Sequence, residues 1–212
     1  MSYLRDLYAR IWDGTTTATV NTGGALNAAI NGYRSSDTSW QPLRLDKSTS
    51  SLQTIDYAHH EIHAGSNFFY TDSVELGSAG VQNYLITTPD TTKWAHLTFQ
   101  GTGSAVTTVQ IYEGADRTGT TAQTLLNSDR NSLTAATVAV HKDYSSGTTD
   151  GTLIWQRKSG AAAGASRSGA EAEHGNEIIL KRKTKYIFRI TSGTAANLTN
   201  TIFNWYEHTN VG

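Results

Sequence analysis

From about residue 59 to the C-terminus, short runs of alternating apolar and polar residues recur between clusters of Gly, Asn, Asp and Ser. Successive side chains on a strand point to opposite faces, so each run can bury one face and wet the other. Many such runs at short spacing fold as an antiparallel sandwich or barrel. Strands are predicted at 60–63, 67–71, 82–88, 95–100, 106–113, 136–141, 152–157, 177–180, 186–191 and 201–208. The fold class is therefore all-β, with eight to ten strands. Thr makes up 32 of the 212 residues, which suits pleated strands, as do the abundant Tyr and Trp.

Three runs define their faces. In 185–191, Tyr186, Phe188 and Ile190 point one way, while Lys185, Ile187, Arg189 and Thr191 point to a largely solvated side. In 94–100, Ala95, Leu97 and Phe99 are the apolar set, with Trp94, His96, Thr98 and Gln100 on the reverse. In 106–113, Val109 and Ile111 share a face opposite Thr108, Gln110 and Tyr112.

Residues 1–58 read differently. A helical turn at 3–8 precedes a hairpin over 9–20 around Asp13-Gly14, a dipeptide that favours tight turns between strands. Gly23-Gly24, an Ala-rich run and a polar stretch at 34–53 follow, with too little regular apolar content for a separate core. An extended N-terminal arm is expected, with Leu4, Leu7, Tyr8, Ile11 and Trp12 buried against the parent domain or a partner chain. The division expected is an arm at 1–58 and a sandwich at 59–212. Two long loops, 114–132 and 159–175, complete the plan; the second is built of small residues and carries no strand signal.

Charge and composition narrow the function. A net charge of −1 and a pI near 6.6 provide no global attraction for nucleic acid or anionic lipid, so neither is expected as a partner. The start of the chain is not read as a signal peptide, and no run of about 18 apolar residues is present to span a membrane. Cys is absent, which excludes thiolate metal sites, thiol nucleophiles and disulfides. Stability has to come from packing or assembly.

Candidate chemistry is sparse. In His59-His60-Glu61-Ile62-His63, a helix would place His59 and His63 together, whereas a strand would align His59, Glu61 and His63 as metal candidates. Ala64-Gly65-Ser66 then reads as a hairpin turn. The spacing His60-Glu61-Ile62-His63 is one residue short of the zincin motif, and no metal is expected. Asp90, Glu113 and Glu177 can be nominated as glycosidase acids, but so can any loop carboxylate. Gly101-Thr102-Gly103-Ser104 lacks the Lys-Ser/Thr and helix of a phosphate loop, and no Gly-x-Ser-x-Gly elbow occurs. No catalytic residue and no cofactor is expected. The basic run 181–185 reads as a solvated turn that discourages edge pairing, or as a weak contact for an acidic partner. Trp40, Trp94, Trp155 and Trp205 could stack on sugars, although burial is the commoner fate of Trp.

The stretches HHEIHAGSNFFY, TTPDTTKWAHLTFQ, TKYIFRITSG and NWYEHT, with the earlier YARIWDGTTTATVNTGGAL, resemble small β-rich virion proteins of tailed bacteriophages. The resemblance spans most of the chain and carries no catalytic motif. It implies a decoration (cement) protein on the outside of the capsid, made in the host bacterial cytoplasm, which forms a homotrimer and binds the major capsid protein. A tail or neck component, or a receptor- or glycan-binding module at the tail tip, is the alternative. The fold implied is a jelly-roll-like sandwich with the arm reaching the lattice.

Overall fold

The structure is a computed structural model. It describes residues 58–160 and 177–209 with their side chains, and only the backbone of Tyr57 and of strand residues 19–20, 26–27, 31–34, 39–42 and 170–173. The chain divides into two compact units, Met1–Ile55 and Asp56–Gly212.

In the first unit, β1 (Thr19–Val20) pairs antiparallel with β2 (Leu26–Asn27), the two flanking Gly23-Gly24. Likewise β3 (Asn31–Arg34) pairs with β4 (Ser39–Pro42). The hairpin expected over 9–20 and the helical turn expected at 3–8 lie outside the described residues, except for 19–20, which pair with β2.

The second unit opens with a helix where a strand is predicted at 60–63. Helix α1 (Tyr57–His63) is closed by Gly65, whose φ is +69°. The Ser66 N–H bonds the Glu61 carbonyl and the Gly65 N–H bonds the Ile62 carbonyl, both at 3.0 Å. This pair of bonds is a Schellman cap, which needs the left-handed residue that glycine supplies without strain. Ala64-Gly65-Ser66 is thus a helix stop and not a hairpin turn.

The rest is an antiparallel sandwich of two sheets. One sheet runs β10 (Leu126–Asn127), β5 (Asn67–Leu76), β16 (Asn197–Thr209), β7 (Lys93–Gly103), with β13 (Ala170–Glu173) and β14 (Ile178–Leu180) both paired to β7. The other runs β12 (Thr152–Ser159), β8 (Thr107–Glu113), β15 (Lys185–Ser192), β6 (Val81–Thr87), β11 (Ala139–Ser146), β9 (Thr118–Ala122). The fold is all-β, as the alternating runs predict. The two stretches read as loops contribute β9, β10 and β13, short strands that add to sheet edges.

The core lies between the sheets. Phe68, Leu97, Phe99, Phe203 and Trp205 from one face meet Tyr84, Val109, Ile111, Tyr186, Phe188 and Ile190 from the other. Phe203 stands edge-on to Phe188, with ring centroids 4.8 Å apart, and to Tyr84 at 5.6 Å. Each such buried side chain contributes about 1.5–3 kcal/mol relative to its exposed state. Gly101 faces inward here: a Cβ on it would come within 2.8 Å of Val109 Cγ2 and 3.3 Å of Phe188 Cζ. The glycines at 101 and 103 let β7 approach the opposite sheet.

The reverse of β15 is not solvated. Ile187 is fully buried and packs with Leu85 and Ala115, flanked by Tyr112 and Tyr144, in a second small cluster. The periodicity identified the face correctly but carried no sign that a loop covers it.

Candidate functional site

Three polar clusters stand out among the described residues. In the first, Glu207 on β16 points into the sandwich and is 2% exposed. Its carboxylate accepts from the Thr137 and Val138 N–H groups, the Thr137 hydroxyl and Trp205 Nε1, each at 2.5–3.0 Å. A buried carboxylate so supplied with donors is a structural anchor for the chain leading into β11.

The second cluster lies on the outer face of the β8–β15–β6 sheet. Asp150 accepts from Arg117 Nε at 2.8 Å and from Arg189 Nη2 at 2.6 Å, and Arg189 Nη2 also donates to the Tyr144 hydroxyl at 2.7 Å. The Arg189 guanidinium sits 5.0 Å above the Tyr112 ring centre and Arg117 4.8 Å above that of Tyr144. Burial would push the Asp150 carboxyl up, but hydrogen bonds and charge from Arg189 and Arg117 outweigh it and hold the pKa below the usual value. These ties clamp the loop over Ile187.

The third cluster is the candidate site. It occupies the outer face of the β16–β7 pair, where register sets Tyr206 opposite His96 and His208 opposite Trp94. Ile179 of β14 lies opposite His96 on the other side. The His96 and Tyr206 rings stack with centroids 4.5 Å apart, and both residues are buried. His96 Nδ1 is 2.9 Å from Glu177 Oε1, the Tyr206 hydroxyl donates to Glu177 Oε2 at 2.8 Å, and His96 Nε2 is 2.8 Å from His208 Nε2. Burial acts to raise the Glu177 pKa, but the bonds from His96 and Tyr206, with the charge of both histidines, bring it below the ordinary value. Beside this cluster, Asp90, Trp94, Ile179, Leu180 and residues 181–183 line a cleft of about 470 Å³.

The expected site residues are distributed as follows. On α1, His59 and His63 come together, Nε2 to Nε2 at 3.0 Å. Glu61 leaves them: it is 5% exposed and bonded to the Ser66 hydroxyl. Among the described residues, no three His, Cys, Asp or Glu side chains converge to hold a metal ion. Leu4, Leu7, Tyr8, Ile11 and Trp12 lie outside the described residues, as does the Trp40 side chain. The three nominated acids have separate partners. Glu113 pairs with Lys181 at 2.6 Å, Asp90 with Lys183 at 3.2 Å, and Glu177 with His96 at 2.9 Å. Trp205 is core, Trp155 packs edge-on to Phe99 at 5.0 Å, and Trp94 is half-buried at the cleft. The basic run forms the β14–β15 turn, with Arg182 donating to the Thr91 carbonyl at 2.8 Å and Lys185 to the Arg117 carbonyl at 2.6 Å.

The meeting of His96 with His208 was missed, because they belong to strands separated by 112 positions. The outward placement of His96 beside Trp94 was readable; its neighbour across the sheet was not.

No protein-family model matches the chain, and neither the curated proteins nor the solved structures contain a significant match. What fold and site define is an antiparallel β-sandwich protein with a histidine-rich cluster and a cleft on one outer face.

Proposed function

We propose that this chain is a structural protein of a tailed-phage particle: a decoration protein that binds the major capsid protein on the outer surface of the head as a homotrimer and stabilises it. Strand order carries the reading. With the insertion 114–146 set aside and β13 and β14 counted as one, one sheet reads first, eighth, third, sixth. The other reads second, seventh, fourth, fifth. We read that order as a jelly roll of two interleaved Greek keys, an architecture used by viral capsid and lectin domains. A fold hosts many functions, so this support is by analogy. The sequence resemblance to phage virion proteins narrows it, and the commitment of Glu207 and Asp150 to structural donors fits a role without catalysis.

The cleft beside Trp94 favours a second reading, a glycan-binding module at the tail tip. An aromatic face flanked by Asp90 and Lys183 suits the apolar side and hydroxyls of a sugar. Two assays separate the readings. Purified full-length protein should sediment as a trimer and pellet with heads that lack it. A monomer that stays in the supernatant would overturn the decoration reading, and selective glycan-array binding abolished by Trp94→Ala would establish the second.

A further inference from the structure

We propose that His96 and His208 form a binding site for a divalent transition metal of the zinc type, with Glu177 as the residue that positions His96. His96 Nδ1 lies 2.9 Å from Glu177 Oε1, and the other oxygen of that carboxylate already accepts from the Tyr206 hydroxyl, so Nδ1 is the donor. His208 Nδ1 faces the Thr209 carbonyl at 2.9 Å, and a carbonyl also only accepts. With Nδ1 donating in each ring, the form able to ligate a metal is the one with its lone pair on Nε2.

Those two Nε2 atoms point at each other across 2.8 Å. Two lone pairs at that distance repel unless a cation lies between them. Zinc–imidazole bonds of about 2.0–2.1 Å at a tetrahedral angle need the nitrogens about 3.3 Å apart, so an opening of roughly half an ångström admits the ion. A carboxylate on the far nitrogen of a ligating histidine is the usual outer support of such a site, fixing the tautomer and raising ligand basicity.

The surroundings agree. His96 is buried and its ring lies flat on Tyr206, whose hydroxyl anchors the second Glu177 oxygen, so the inner ligand is oriented before any ion arrives. His208 is half-exposed at the strand end, which leaves an entry route and room for water to complete the coordination. The α1 pair, His59 and His63, has its Nε2 atoms 3.0 Å apart on an exposed helical turn and is the competing site.

Calorimetric titration of the chelator-treated full chain with ZnCl2 tests the assignment. One binding event is expected, weakened at least tenfold in His208→Gln and about tenfold in Glu177→Gln, and retained in His59→Gln. Circular dichroism establishes that each variant is folded. In the wild-type protein, 15N spectra of the imidazoles should show zinc displacing the Nε2 resonances of two β-sheet histidines. Absence of zinc binding would overturn the proposal and leave a shared proton as the cation. So would binding unchanged in His208→Gln, or binding and shifts confined to His59 and His63.

Discussion

Glu207 shows how a single residue can contradict the pattern around it and still be dictated by it. It shares the inward face of β16 with Phe203 and Trp205, a position at which a carboxylate reads as an error of periodicity. The donors that make it tolerable, the 137–138 backbone and the Trp205 indole, come partly from a segment 70 residues away, so the sequence could not reveal them. Hydrogen bonds to a charged group are worth about 1.5–3 kcal/mol each, and a neutral amide would also aim its own N–H groups at donors. Glu207→Gln is expected to lower unfolding free energy by about 3 kcal/mol in urea titration, whereas Glu75→Gln, on an exposed position, should change it by under about 0.5 kcal/mol. Equal effects at the two positions would refute the anchoring role. The histidine pair has the same character: its residue types are plain in the sequence, but its pairing exists only once β7 and β16 are in register.

At the level of elements, individual strands were legible because each run states its own two faces. What covers a face was not. The reverse of β15 reads as solvated, yet Arg117 and Asp150 hold the chain around Ala115 and Tyr144 across it, with Arg189 of the strand itself completing the clamp. The sequence around α1 is ambiguous for a related reason, since Ala-Gly-Ser serves a hairpin and a Schellman cap equally well and the choice rests on the bonds made. Asp150→Asn should release the cover: amides at 143–151 are expected to exchange faster by roughly tenfold or more, while those of β16 keep their protection. The pH dependence follows in sign. A carboxyl whose folded pKa is depressed stabilises the fold above the unfolded value of about 4 and loses that contribution as pH falls through the folded value. The acid-side loss of stability should therefore be shallower in Asp150→Asn than in the wild type, and an identical slope would exclude the clamp.

Across the whole molecule, composition and periodicity established the class but not the order of strands, because alternation names faces and never neighbours. The interleaved order emerges only from pairing over long separations, such as β5 with β16. The core so formed encloses tyrosine hydroxyls. Burial, reinforced by nearby Asp72, pushes Tyr70 up to about 12. Burial also raises Tyr84 and Tyr186 beyond the usual phenol range, with Asp72 and Glu113 respectively adding to the shift. A raised phenol keeps its full contribution below the unfolded value of about 10, and stability falls as pH climbs from there toward the folded value. Absorbance titration should show none of these three phenols ionising near pH 10 while the protein stays folded; ionisation there would contradict the packing described.

The proposed role is a property of the assembled particle, and electron cryomicroscopy of intact virions tests it most directly. The account predicts sandwich-shaped density in threefold clusters on the outer surface of the head, with each copy touching the major capsid protein. Density for this chain confined to the tail, or a particle that lacks it, would contradict the account.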